Sequence, residues 1–350
     1  MKKRIFGLKA WAVATACVMV CMGAAVSSCG GSGKTSGEEE KDSVAVEENE
    51  FGMETLARAL ERYDGVRSFS EGLAIVRIGD WGNCKWGYIN KQGEEVIPCI
   101  YDSAESFSED LAVVNQNGKW GYINKQGEEV IPCIYDSAGS FSEGLAMVFM
   151  GDWDNGKCGY INKQGEVVIP CRYDMAERFS EGLAPVTQNG KSGYINTKGE
   201  HVISCRYDGA ESFSEGLARV CMGEWENCKW GYINKQGEQV IPCKYDHAGD
   251  FSEGLAPVKQ NGKYGYINKQ GEQVIPCKYD HAGDFSEGLA QVCVGERGNK
   301  KCGFVNTKGD EVIPCKYDNA DDFSEGLAQV RLDGKPGFVD KQGRDTFSAK

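Results

Sequence analysis

The sequence predicts an all-β tandem-repeat domain: eight three-stranded antiparallel meanders set side by side as an open or superhelical stack. Three observations predict it. The phrase F-S-E-(G/D)-L-A returns eight times, with phenylalanines at Phe69, Phe107, Phe141, Phe179, Phe213, Phe251, Phe285 and Phe323. The steps between them run 38, 34, 38, 34, 38, 34 and 38, so the true unit is a 72-residue pair of unequal modules. Each module also contains short runs of β-branched and aromatic residues bounded by turn residues. Units this small cannot bury an apolar face alone and are stable only through their neighbours.

The elements follow in chain order. Residues 1–28 read as an export signal, with Lys2, Lys3, Arg4 and Lys9 ahead of an apolar stretch from Ala10 to about Val26 that is too short to span a membrane. The tetrad Val26-Ser27-Ser28-Cys29 resembles a bacterial lipobox, which implies lipidation of Cys29 and stable attachment through two or more acyl chains. Residues 29–50 are rich in Gly, Ser and Glu and form a flexible, self-repelling tether. No Asp follows Cys29, which by resemblance to Gram-negative lipoproteins favours the outer membrane, with the domain periplasmic or exposed on the cell surface. Residues 51–62 carry Leu56, Ala57 and Leu60 at helical spacing and are expected to cap the repeat domain, residues 63–350.

Within the first module, Leu73-Ala74-Ile75-Val76, residues 85–90 and residues 95–101 are the expected strands. The turn Asn90-Lys91-Gln92-Gly93 gives a hairpin with a bulge, because its glycine supplies a positive φ. The first two strands are joined by Gln116-Asn117-Gly118-Lys119 in the short form and by a longer loop, residues 78–84, in the long form. At the F-S-E-G corner only Asp110 replaces glycine, and Asp tolerates a left-handed backbone, so this position is conformational. Pro98, Pro132, Pro170, Pro242, Pro276 and Pro314 place the third strand at an edge or bulge. The slot occupied by Ile75, Val113, Met147, Pro185, Arg219, Pro257, Gln291 and Gln329 varies so widely that it is expected to face outward, with the neighbouring Leu and Ala pointing inward.

The phrases at residues 85–91, Val96-Ile97-Pro98, Tyr101-Asp102 and Phe107-Ser108-Glu109 together resemble the bacterial WG repeat, a β-rich module found in tandem in exported proteins. At the aromatic slot of the repeat, the Trp-Gly pair stands only at Trp86, Trp120 and Trp230. The resemblance implies a binding or scaffolding role and supplies no catalytic residues.

Candidate sites are few. Thirteen of sixteen cysteines remain once Cys17 and Cys21 leave with the signal and Cys29 is lipidated. Seven of these, Cys99, Cys133, Cys171, Cys205, Cys243, Cys277 and Cys315, recur once per module without CxxC spacing and read as small apolar residues. Extending the short-hairpin register sets Cys293 opposite Cys302, a candidate disulfide, whereas Cys221 would face Trp230 and not Cys228. His201, His247 and His281 do not form a metal set, and no cofactor is expected. Carboxylates repeated in every module, such as Glu71 and Asp102, read as turn chemistry rather than the single asymmetric pocket an enzyme needs.

The sharpest functional feature is the long loop of alternate modules, carrying Trp81, Trp153 and Trp225 beside acidic residues, with Arg297 breaking the series. These tryptophans are candidates to hold a sugar ring or fill a partner's pocket, the alternative being that each indole lies as a lid on its own hairpin. The charge of −13 falls to about −17 once the four leader cations are removed, which disfavours nucleic acid and lipid headgroups as direct partners. The expectation is therefore a lipid-anchored scaffold for an unidentified protein or glycan, not an enzyme. A structural envelope element without a specific ligand is the alternative, an envelope glycan hydrolase the least favoured, and a closed propeller-like toroid the competing architecture.

Overall fold

The computed structural model describes residues 61–80, 82–152, 154–223, 227–296 and 299–347. The leader, Cys29, the acidic tether, residues 51–60 of the expected helical cap, and Trp81, Trp153 and Trp225 lie outside the described residues. Among the described residues no helix is long and apolar enough to cross a membrane. The chain divides into two compact units, Met1–Cys171 and Arg172–Lys350.

Eight antiparallel sheets follow one another in chain order, and none closes into a barrel. The first comprises β1 (Gly65–Ser70), β2 (Leu73–Ile78), β3 (Lys85–Asn90) and β4 (Glu95–Tyr101), hydrogen-bonded in that order. The second comprises β5 (Ser103–Ala104), β6 (Leu111–Gln116), β7 (Lys119–Asn124) and β8 (Glu129–Tyr135). The expected meander is thus β6-β7-β8, and β5 adds a fourth strand too short to leave a pattern in the sequence. One residue, Asp102, carries the chain from one sheet to the next. The eighth sheet has three strands, and its outer edge meets Asp345 through a bridge to Val339.

The turn chemistry is local and repeated. Ser108 and Leu111 exchange both backbone hydrogen bonds around Glu109 and Asp110, whose φ values are 55° and 72°. Positive φ at both central residues is the geometry whose twist matches antiparallel strands. In the Asn-Lys-Gln-Gly turn, Asn90 Oδ1 accepts from the amides of Gln92 and Glu94, both at 3.0 Å. The register shifts twice along β3 and β4, on either side of Tyr88, so the proline falls at an irregular edge as its missing N–H requires.

The glycine of the Trp-Gly pair has a separate cause. A Cβ on Gly87 would lie 2.4 Å from the Ile97 carbonyl oxygen and 2.7 Å from the Cys99 nitrogen, because the bulged β4 backbone crosses directly over it. The same closeness recurs at Gly121, Gly159, Gly193, Gly231, Gly265 and Gly303.

The apolar interior lies between sheets. Leu73, Ile75, Tyr88, Ile97 and Tyr101 of the first module form one cluster with Ala104, Phe107, Ala112, Val114 and Ile123 of the second. In the second unit, Leu217, Tyr232, Ile241 and Tyr245 similarly meet Ala248, Phe251, Ala256, Val258 and Ile267. Each large side chain so buried contributes roughly 1.5–3 kcal/mol, most of which a module loses without its neighbour. Tyr232 shows how neighbours are joined: its ring centroid lies 4.9 Å from that of Phe251, and its hydroxyl donates to the Gly249 carbonyl at 2.8 Å.

The variable third slot corrects the sequence reading. Ile75 and Val113 are each 1% exposed and Gln291 is 8% exposed, so the slot is not outward-facing. Its side chains meet the next module's short strand: Arg219 Nη1 donates to the Ala248 carbonyl at 2.6 Å, and Gln291 Nε2 to that of Ala320 at 2.7 Å. Variation there records a changing neighbour, because both faces of the strand are covered.

Candidate binding surface

The long loops rise from the joint between sheets. Asp64 Oδ2 accepts the Gly79 amide at 2.9 Å, Asp136 that of Gly151 at 2.9 Å, Asp208 that of Gly223 at 3.0 Å, and Asp280 that of Gly295 at 2.9 Å. Short loops are held the same way, with Asp102 accepting from Asn117 at 2.7 Å. The other oxygen of the joint aspartate takes the lysine that opens the preceding Trp-Gly strand, as in Lys85 to Asp102 at 2.5 Å and Lys301 to Asp318 at 2.7 Å. The lysine ammonium, then the loop amide, hold the Asp102 and Asp208 carboxyls below the usual aspartate range. Within the first long loop Asn83 N donates to the Asp80 carbonyl at 2.9 Å, so the residues flanking Trp81 in the chain close a tight turn.

The corner glutamates grip the next module. Glu71 Oε1 accepts the Glu109 amide at 2.8 Å and Oε2 that of Asp110 at 3.1 Å. Glu181 accepts from Gly216, Glu215 from Gly254, Glu253 from Gly288 and Glu287 from Gly326. Lysines of the next module's Asn-Lys turn join them, Lys235 to Glu181 at 3.0 Å and Lys269 to Glu215 at 3.2 Å. Burial pushes the Glu181 carboxyl up, but Lys235 and the Gly216 amide outweigh it, and the group stays below the ordinary glutamate value. These carboxylates are therefore clamps between modules as well as turn residues, which a reading of one module in isolation misses.

The cysteine row is half-buried. Each sulfur with a resolved partner lies near a carbonyl of its own sheet, from 3.6 Å for Cys315 to Val292 to 3.9 Å for Cys99 to Val76. Burial, then the nearby Glu95, pushes the Cys99 thiol up to about 11, which keeps it protonated and unreactive at neutral pH. Cys293 and Cys302 stand opposite one another in the ladder and are joined as a disulfide. Cys221 faces Trp230 in register yet is joined to Cys228, whose place in the long loop lets it fold back across the hairpin, so the register argument against that pair fails.

Two concavities lie in the second unit. One, of about 970 Å³, is lined by Asp280, His281, Glu296, Asn299, Lys300 and Asp318, at the base of the long loop that carries Arg297. The other, of about 460 Å³, runs beside Tyr264, which lies between His247 and His281 with ring centroids 5.8 and 6.1 Å away. Among the described residues no three His, Cys, Asp or Glu side chains gather closely enough to hold a metal ion.

Fold and surface together define a tandem β-repeat protein. The chain belongs to the WG containing repeat family, which matches residues 61–80, 86–120, 120–152, 159–191, 193–224, 230–264, 264–297 and 303–335. No curated protein matches it. Among solved structures it is similar to the crystal structure of the eukaryotic initiation factor, with a TM-score of 0.54 and 13% identity over 77% of this chain and 82% of that one. That likeness is one of fold alone. Kluyveromyces lactis Hsv2p aligns at a TM-score of 0.42 and 9% identity, covering 68% of this chain and 92% of that one. Porphyromonas gingivalis dipeptidyl peptidase 4 aligns at 0.45 and 9%, covering 71% and 53%.

Proposed function

We propose that this protein is a lipid-anchored scaffold of the outer membrane, outside the cytoplasm, which holds a protein or glycan partner through its repeated long loops and catalyses no reaction. The observation that carries the reading is the bond from Asp64, Asp136, Asp208 and Asp280 to the first glycine amide of each long loop. A tie at the base of a loop removes conformational freedom before a partner arrives, which lowers the entropy cost of capture. Repetition adds avidity when a partner engages several loops at once. The leader, with Cys29 as the lipidated residue, supplies the anchor.

The test is simultaneous replacement of Trp81, Trp153 and Trp225 by alanine, followed by pull-down from envelope and host extracts and by glycan-array binding. The reading expects lost capture with an unchanged melting temperature. Capture that survives the triple replacement contradicts it. The anchor is tested separately by palmitate labelling: wild type should label and partition with membranes, and Cys29→Ser should do neither. The short loops favour a second reading, since Asp102 ties a loop without tryptophan in the same way and such ties serve a purely structural envelope element equally well.

A further inference from the structure

The fourth strand of each of the first seven modules lies at a sheet edge, and one slot on it divides the molecule. The residue after the row cysteine is Ile100 in the first module and Ile134 in the second, then Arg172, Arg206, Lys244, Lys278 and Lys316. Each of the five cations lies over the ring of the tyrosine that follows it, 5.0 to 5.1 Å from the centroid. The slot also reaches across the joint: Arg206 Nη2 donates to the Gly237 carbonyl at 2.8 Å, and Lys316 Nζ meets Asp345 at 2.7 Å. At the first two joints the same place is held by isoleucines that are 48% and 52% exposed. A lone exposed isoleucine is ordinary, but these two stand where every later copy has a charged head over the surface.

They have apolar neighbours. Val167 occupies in the third module the position of Asp345 in the last, so repetition of the joint sets Ile134 beside Val167, which is exposed too, and Ile100 beside Glu129. Exposed Pro98, Pro132 and Pro170 interrupt the amide row of this edge, so a partner must meet side chains and cannot simply extend the ladder.

Charge separates the two units along the same edge. The first unit carries Glu95 and Glu129 there and no cation in the slot, whereas in the second unit the position of Glu95 holds His201, Gln239 and Gln273, with Glu311 the exception. Among the described residues Glu129, Lys244 and Lys278 form no ion pair. The second edge is also partly apolar, since Val202, Val240 and Val274 are exposed. Glu95 and Glu129 stand one module apart, as do Lys244 and Lys278, so the two rows of opposite charge share a spacing.

We infer that the chain associates with a second copy of itself through these edges. The apolar, acidic edge of the first unit in one copy lies on the valine- and lysine-bearing edge of the second unit in the other, with Glu95 and Glu129 answered by Lys244 and Lys278. Burial of the exposed isoleucines and valines drives the contact, and opposite charge decides which edges meet.

Sedimentation equilibrium of the full chain in a density-matched non-ionic detergent tests it. The chain should self-associate at low salt, and high salt should weaken association about tenfold. Glu95→Lys with Glu129→Lys, and separately Lys244→Glu with Lys278→Glu, should each weaken it at least about tenfold. An equimolar mixture of these two variants should associate again, because each reversed edge then faces its opposite. Ile134→Arg, which copies the third joint, should weaken association about tenfold, and the triple tryptophan variant should associate as wild type does, since the long-loop tips lie elsewhere. Melting temperatures establish that each variant is folded. A monomer at every concentration overturns the inference, as does association undiminished by both charge reversals, or a mixture that associates no better than either variant alone.

Discussion

Two rows of residues run through the same sheets and behave in opposite ways. At the corner, the glutamates of the F-S-E-G phrase do not change from copy to copy, and each tested by its contacts grips a backbone amide of the following module. Across the hairpin, the directly opposed pair is Arg77/Trp86, Asn115/Trp120, Phe149/Cys158, Thr187/Ser192, Cys221/Trp230, Lys259/Tyr264, Cys293/Cys302 and Arg331/Pro336. Each pair has found its own settlement. Thr187 and Ser192 share a hydrogen bond of 2.9 Å, Lys259 sits over the Tyr264 ring, and Phe149 occupies space freed by Gly156. The difference teaches that a corner side chain gripping the next module's fixed backbone amides is held constant, while a cross-hairpin pair drifts when its opposed partner compensates, as the third slot drifts with its changing neighbour.

The comparison breaks most visibly at the Trp-Gly glycine. Gly231→Ala would put a Cβ 2.5 Å from the Ile241 carbonyl oxygen and 2.6 Å from the Cys243 nitrogen, both backbone, so no side chain can move aside. We expect a loss of about 3 kcal/mol by denaturant unfolding, since overpacking against fixed backbone sits at the upper end of its range. Gly156→Ala sharpens the contrast, because its Cβ would meet the flexible Phe149 ring at 2.1 Å. It should cost about 2 kcal/mol alone and far less in a Phe149→Ala background, and a double-mutant cycle reads that coupling.

Removing a clamp has a smaller effect. Glu181→Ala loses the Gly216 amide and Lys235 together and should cost about 1 kcal/mol, with the backbone strain unchanged because alanine keeps its Cβ at the same φ of 54°. The smallest effects are electrostatic. Asp102, Asp208 and Asp280 titrate below their ordinary value of 3.8 in the fold, so their contribution is full above that value and is lost as pH falls through the lowered range. Burial, then Asp250 and Asp322, shift Asp284 the other way, so its charge opposes folding at neutral pH and the opposition fades as acid protonates it. Asp284→Asn should therefore raise the melting temperature at pH 7 and leave it unchanged in acid, where Asp208→Asn has already lost its effect.

Much of the fold was legible because the physics was local. The Asn-Gly and Asn-Lys-Gln-Gly turns, the edge proline and the Asp110 substitution each follow from backbone conformation, and the register that opposes Cys293 to Cys302 follows from the hairpin. What a single module could not reveal was its neighbour. The third slot looked solvent-facing because its residues differ, yet Gln291 and Arg219 vary to suit the next short strand. The glutamate clamp was hidden for the same reason: the amides that donate to it lie 35 to 39 residues further on. The contrast between the two edges was visible in sequence only as a change from isoleucine to arginine and lysine at one slot, which carries no meaning until the fold places Ile100 and Ile134 at the surface.

The central claim is that the stable unit is the interface between modules and not the module itself. Deletion of residues 193–264, a whole long-short pair from the second unit that leaves Ser192 followed by Gly265, tests it most directly by equilibrium unfolding. The account predicts a folded β protein that melts in one cooperative transition with a proportionally smaller denaturant slope. A disordered product, or a folded 34-residue module in isolation, would contradict it.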